Sequence, residues 1–331
     1  MSKRDFIFSV LDNKESYRTP VGFWYHFAPE GLLDYSTETI QKNLQGHKQY
    51  YEEFQPDFMK LMSDGFFIYP NESIENVKQA SDLDQVTASH PKQWIEDQVA
   101  MVKELTGLYG KEVVTFYNIF APATHLAWGL SKNGSGLTVP DAAKENPIGL
   151  KHALLEISKD IATLTQRVIR EGGTDGIYFS VRNIQGLDRQ AYDQIVAVSE
   201  LPILQAANEL SEYNLLHICG YEGYRNDLSF YVDYPFKAVN WAVTTEDVSL
   251  QEGKKLFGGR TVIGGFDHTK NGVLYKGTRE EIEEETVRIL KGAGNTGVII
   301  GADCTVPSDI SISHLRWVRE KARQLATERN A

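Results

Sequence analysis

Eight short apolar segments, each followed by a longer stretch of helical character, constrain this chain more than any other feature. They are "PVGFWYHF" (20–27), "DFMKLMS" (57–63), "VVTFYNIF" (113–120), "GIYFSV" (176–181), "LLHIC" (215–219), "AVNWAV" (238–243), "TVIGGF" (261–266) and "GVIIGAD" (297–303). Most are continuous apolar runs. Strands covered on both faces read this way, and such strands usually pair in parallel. The intervening stretches carry helix signals. "TREEIEEETVRILKGAG" opens on a capping box, Thr278 with Glu281, and closes on a glycine. "SDISISHLRWVREKARQLATERN" offers Ser308 as a cap before apolar residues at helical spacing. Eight βα units in 331 residues predict a (β/α)8 barrel of the α/β class, one domain over residues 1–331. A doubly wound open sheet is the runner-up, but no G-x-G-x-x-G follows any of the segments. The most loop-like stretch, "WGLSKNGSGLTVPDAAKENP" (128–147), follows the third segment, which would place it on the C-terminal face.

Composition narrows the partners. With 41% apolar and 24% charged residues the chain is globular in type, and its net charge of −11 repels nucleic-acid backbones and anionic membrane surfaces. A local pocket can still oppose that charge for a small anion. The N-terminal residues carry no apolar run of signal-peptide length, and no run of 18 apolar residues occurs, so a cytoplasmic location is expected. Only two cysteines are present, Cys219 and Cys304, which fits a reducing compartment and argues against a disulfide between them.

Both cysteines fall at the ends of expected strands. Residues i and i+2 of a strand point to one side, so His217 and Cys219 share a face. In a barrel the end of the last strand, with Cys304, converges on the same mouth. One imidazole and two thiolates form a zinc set, with a fourth position open for water or substrate. Zinc holds a bound thiol as a thiolate nucleophile at neutral pH. One zinc per chain is therefore expected on His217, Cys219 and Cys304.

The chain resembles the uroporphyrinogen decarboxylase superfamily over nearly its whole length, most specifically in "HICG", "GGRTVIGGFDH" and "ADCTVPSDISISHLRWV". One branch of that superfamily decarboxylates porphyrinogens without a cofactor. Another consists of zinc methyltransferases that move a methyl group between a corrinoid protein and a thiol such as coenzyme M. His217-Ile218-Cys219 and Cys304-Thr305-Val306-Pro307 match the H-x-C and C-x-I/V-P patterns of the methyltransferases. The resemblance thus implies a zinc-dependent methyltransferase, a small thiol substrate, and a methyl-corrinoid, carried by a separate protein, as a candidate donor. The decarboxylase arginine motif is missing: Tyr25 and Pro29 stand where its two arginines would be, Trp128 where its tyrosine would be, and "GADC" where its G-H-G would be. Its acid survives as Asp64 in "LMSDGF". Porphyrinogen decarboxylation is accordingly the alternative, and a non-catalytic zinc- or corrinoid-binding protein a second.

The remaining candidates lie near expected strand ends. Asp64, His26 and Asp267 are expected to orient a thiol or move its proton, and His125, Tyr25 and Trp128 to line the substrate pocket. For Asp267 a turn-forming role is the competing explanation. Asn240 lies near a position where a related zinc enzyme, cobalamin-independent methionine synthase, has a glutamate ligand, which leaves a fourth protein ligand open. The oligomeric state is open too, a homodimer among the options.

Overall fold

The structure, a computed structural model, describes residues 1–294 and 296–330, without the side chains of 328–330. Seven parallel strands follow one another in chain order: β1 (Phe58–Leu61), β2 (Val114–Phe120), β3 (Gly176–Val181), β4 (Leu215–Ile218), β5 (Ala238–Trp241), β6 (Thr261–Phe266) and β7 (Val298–Ala302). Helices fill the crossovers, and the architecture is a (β/α)8 barrel in which the first of the eight segments is not a regular strand.

That segment still closes the ring. Pro20 has no N–H to give, and the ladder shrinks to one bridge, Val21 with Ile300 of β7. The Ile300 N–H donates to Pro20 O (2.9 Å) and the Gly22 N–H to Ile300 O (3.0 Å). On the other side the Asp57 N–H donates to Val21 O (3.1 Å), but the Val21 N–H turns to the Asp57 carboxylate (2.8 Å) instead of a strand carbonyl. The same buried carboxylate takes both arms of Arg18, at 2.6 and 2.5 Å. A side chain at residue 22 would strike the Phe58 ring at 2.3 Å, so only glycine lets the segment lie this close to β1. Side-chain acceptance has replaced backbone pairing, and apolar character alone does not reveal that exchange.

The barrel interior is layered. The register pairs Tyr178 with Leu215, Leu215 with Ala238, Ser180 with His217 and His217 with Asn240. Inward residues at the lower levels are apolar: Phe58, Val114, Phe116, Tyr178, Leu215, Ala238, Ile263 and Ile299. Helix Lys3–Leu11 plugs the lower end with Phe6, Ile7, Val10 and Leu11, and the Thr261 hydroxyl donates to Val10 O. Two residues further up the inward positions turn polar, and period two therefore brings Asn118, Ser180, His217, Cys219 and Asn240 to the C-terminal mouth.

Two local expectations are corrected. The stretch 128–147 is largely helical: helix Pro122–Lys132 runs through Trp128, and helix Val139–Glu145 follows, capped by Thr138. The last helix begins at Ile312, not after Ser308. No helix among the described residues is long and apolar enough to cross a membrane.

Candidate metal centre

His217, Cys219 and Cys304 meet at the mouth, their donor atoms all within 4.8 Å of one another. The sulfurs are 3.9 Å apart, and Cys304 Sγ lies 3.4 Å from His217 Nε2. Tetrahedral zinc with bonds of about 2.3 Å to sulfur and 2.0–2.1 Å to nitrogen spaces two sulfurs by about 3.8 Å and a sulfur and a nitrogen by about 3.6 Å. The spacing thus fits one zinc ion with a position left open, and the two cysteines are free thiols.

Each donor is held from behind. Asn240, paired with His217 in the β4–β5 register, donates through Nδ2 to Ile263 O (2.9 Å) and Ala302 O (3.1 Å). Its Oδ1 must therefore face His217 Nδ1, at 2.5 Å, as acceptor. The Nδ1 carries the proton, and the Nε2 lone pair points at the sulfurs, which is the tautomer a metal needs. The Cys219 N–H donates to Val181 O (2.8 Å) and its carbonyl accepts from Asn226 Nδ2 (3.1 Å). Cys304 lies just past β7, pinned between the Asp303 N–H bonded to Phe266 O and the Val306 N–H bonded to Trp24 O. The hydrogen bond from the Cys304 thiol holds the Cys219 thiol well below its ordinary range, against the opposing effect of burial. The same bond, with burial, pushes Cys304 up.

The surrounding cavity has a volume of about 320 Å3. His26 and Trp128 line it, as expected, together with Lys60, Asn118, Arg182 and Tyr221. Trp128 stacks on Phe67 at 4.6 Å. Asp64 does not line it. Its Oδ1 accepts from His26 Nδ1 (2.8 Å), and its Oδ2 from the Phe27 and Ala28 N–H groups (2.6 and 3.0 Å). The carboxylate is spent holding the first segment and setting the His26 ring, whose Nε2 is left for the cavity. His125 also stays out. Thr124 and Trp128, four apart on one helix, face the cavity, whereas His125 lies a quarter-turn away with Nδ1 on Phe67 O (3.1 Å). Burial pushes its pKa down to about 4. Asp267 accepts from the Thr269 N–H (2.8 Å), the turn-forming alternative, and lines no part of this cavity. Tyr25 packs on Phe27 and Tyr50, where burial raises its phenol to about 12.

Lys60 is the residue that sequence reasoning missed. It projects inward from β1, 5% exposed, with Nζ 4.5 Å from the Tyr178 ring centre and 5.1 Å from that of Trp24. No carboxylate lies within ion-pair distance of it among the described residues. Burial pushes its pKa down to about 8, against the opposing pull of Cys304 and Cys219. The signal was a lone charge inside the apolar run "DFMKLMS", since a lysine on a strand buried on both faces needs a reason to be there.

The sequence matches no protein-family model and no curated protein. Solved structures share the fold. A methyltransferase from Methanosarcina mazei superposes with a TM-score of 0.72 at 13% identity, over 98% of this chain and 99% of that one. A B12-independent methionine synthase from Shewanella sp. W3-18-1 superposes with a TM-score of 0.59 at 13% identity, over 94% of this chain and 97% of that one. The barrel expected from the resemblance is thus the barrel observed.

Proposed function

We propose that the protein is a zinc-dependent methyltransferase in which His217, Cys219 and Cys304 hold the metal and a small thiol accepts the methyl group. The observation that carries this reading is the spacing of the three donors around one open position at the barrel mouth. The resemblance in "HICG" and "ADCTVP" supports it, as does a scaffold on which a methyltransferase and a methionine synthase are built. A bound zinc ion supplies a Lewis acid that keeps a coordinated sulfur ionised at neutral pH.

The chain's own groups do the rest. His26 takes the proton of the incoming thiol on Nε2, its ring set by Asp64. Asn240 keeps His217 in its binding tautomer. Lys60 offsets the negative charge that a third thiolate brings to a neutral dithiolate–imidazole site. Phe67, Phe120 and Trp128 exclude water from one side. In the transfer a sulfur lone pair forms the new S–C bond, while the donor–carbon bond breaks and leaves its electron pair on the donor. A methyl-corrinoid, or another methyl carrier, approaches through the open mouth. Porphyrinogen decarboxylation is disfavoured, because only Lys60 and Arg182 bring positive side chains to a cavity that would face eight carboxylates.

The test is methyl transfer from methylcobalamin to a panel of small thiols by zinc-loaded protein. Turnover that is lost in Cys304→Ser and strongly reduced in His26→Gln is expected. Equal turnover in the metal-free protein would refute the assignment.

A further inference from the structure

A second cavity, of about 570 Å3, opens beside the metal cavity on the same face of the barrel. It lies between helix Pro122–Lys132, loop 133–138 and the segment that follows β3. Ala127, Leu130, Leu137, Val139 and Ile184 give it apolar walls, and no acidic side chain lines it. Its one cation is Arg182. Arg182 and Thr124 line both cavities, so the two spaces meet at these residues. The bond from the Cys219 N–H to Val181 O sets residue 182 beside Cys219 across the β3–β4 seam. The guanidinium lies over the Tyr224 ring at 4.7 Å and has no hydrogen bond or ion pair with any described residue. An arginine that never loses its charge, stacked on an aromatic face and left with its donors free, is a ready partner for a carboxylate. The size falls in the range of small-molecule sites, about 300–1,000 Å3. In a chain of net charge −11 a lone guanidinium on apolar walls is a local exception that selects for an acid.

We infer that this second cavity binds a small carboxylic acid, with its apolar body against Ala127, Leu130 and Ile184 and its carboxylate on Arg182. The bound acid is a co-substrate whose reactive end enters the metal cavity. Its role as co-substrate rests on the proposed methyltransferase reading, whereas the binding itself does not.

The probe is 4-fluorobenzoate, followed by fluorine NMR, with the neutral 4-fluorobenzamide as its control. The wild-type protein should bind the acid saturably and in preference to the amide. Arg182→Gln should weaken the acid by at least about tenfold, the loss of a charge-assisted bidentate contact, and leave the amide nearly unchanged. Arg182→Lys should fall between the two. Protein loaded with cobalt(II) should broaden the fluorine signal of the bound acid, because the ion lies next to the shared wall. No saturable binding, equal binding of acid and amide, or an Arg182→Gln variant that binds like wild type would overturn the site. Binding without cobalt broadening would overturn the co-substrate role. If cobalt does not bind, the metal reading fails, and titration of the metal-free protein still decides whether the acid site exists.

Discussion

Replacing Lys60 with methionine should stabilise the metal-free protein and weaken its hold on a thiol, two effects of opposite sign from one substitution. The side chain is buried where it lines the cavity, and that burial lowers its pKa from the ordinary 10.5 to about 8. That fall corresponds to roughly 3 kcal/mol of unfavourable free energy. Below pH 8 the lysine is charged in both the folded and unfolded chain, and the folded state bears the whole cost. Between pH 8 and 10.5 the folded chain binds fewer protons than the unfolded one, so stability rises with pH across that window. Methionine matches the stem in shape and removes the charge. It forfeits two cation–ring contacts, worth about 0.5–1 kcal/mol each, which leaves a net gain of about 1–2 kcal/mol at pH 7. For a chain of this length that raises Tm by about 2–3 °C. With zinc bound the balance reverses on adding a thiol. A third thiolate makes the site negative, and loss of the buried countercharge should cost about 2 kcal/mol, or roughly thirtyfold in affinity. Calorimetric unfolding of the metal-free variant and titration of zinc-loaded protein with 2-mercaptoethanol measure the two arms. A metal-free variant less stable than wild type, or unchanged thiol affinity, would refute the reasoning.

Asn240→Leu should retain the fold and lose about 10–100-fold in zinc affinity by competition with a chelator, because the His217 tautomer is no longer fixed. Zinc affinity should rise with pH between pH 6 and 8, because the metal takes both sulfurs as thiolates and the thiol of Cys304, pushed up by its bond to Cys219 and by burial, must release its proton first; an affinity indifferent to pH over that range would contradict this. Glu200, buried beneath Tyr192 and Tyr234, has its carboxyl raised by burial to about 7. A group raised in the folded state contributes stability that is present below about 4.5 and lost as pH climbs to 7, here roughly 3 kcal/mol. Glu200→Gln should therefore flatten the Tm profile between pH 5 and 8 and raise Tm at pH 8.

The barrel was legible because seven of the eight apolar runs became strands, and a run buried on both faces can hardly become anything else. The first segment failed as a strand because the Asp57 and Asp64 side chains take over its backbone N–H groups, and pairing with a side chain leaves no periodic trace. The meeting of His217, Cys219 and Cys304 was legible from strand parity together with closure of the barrel. His26 and Trp128 reached the cavity, while Asp64 and His125 did not, for a reason of direction: nearness to a strand end says which mouth a residue is at, not which way it turns. Lys60 could have been found by the same parity, since it sits on an inward position of β1; Asn240 was singled out in the sequence as a possible ligand position, and its role as hydrogen-bond acceptor for His217 needed the β4–β5 register. That Tyr25 and Pro29 stand where the decarboxylases it resembles carry arginines was visible in the sequence, but the packing of Tyr25 on Phe27 and Tyr50 was not.

X-ray absorption at the zinc edge tests the central claim most directly. Native protein should carry close to one zinc per chain, with two sulfurs at about 2.3 Å and a nitrogen or oxygen shell at about 2.0–2.1 Å. Adding a small thiol should raise the sulfur count from two to three, and Cys219→Ser should lower it to one with a large loss of metal. A sulfur count that stays at two in the presence of excess thiol, or zinc content indifferent to Cys219→Ser, would contradict the account.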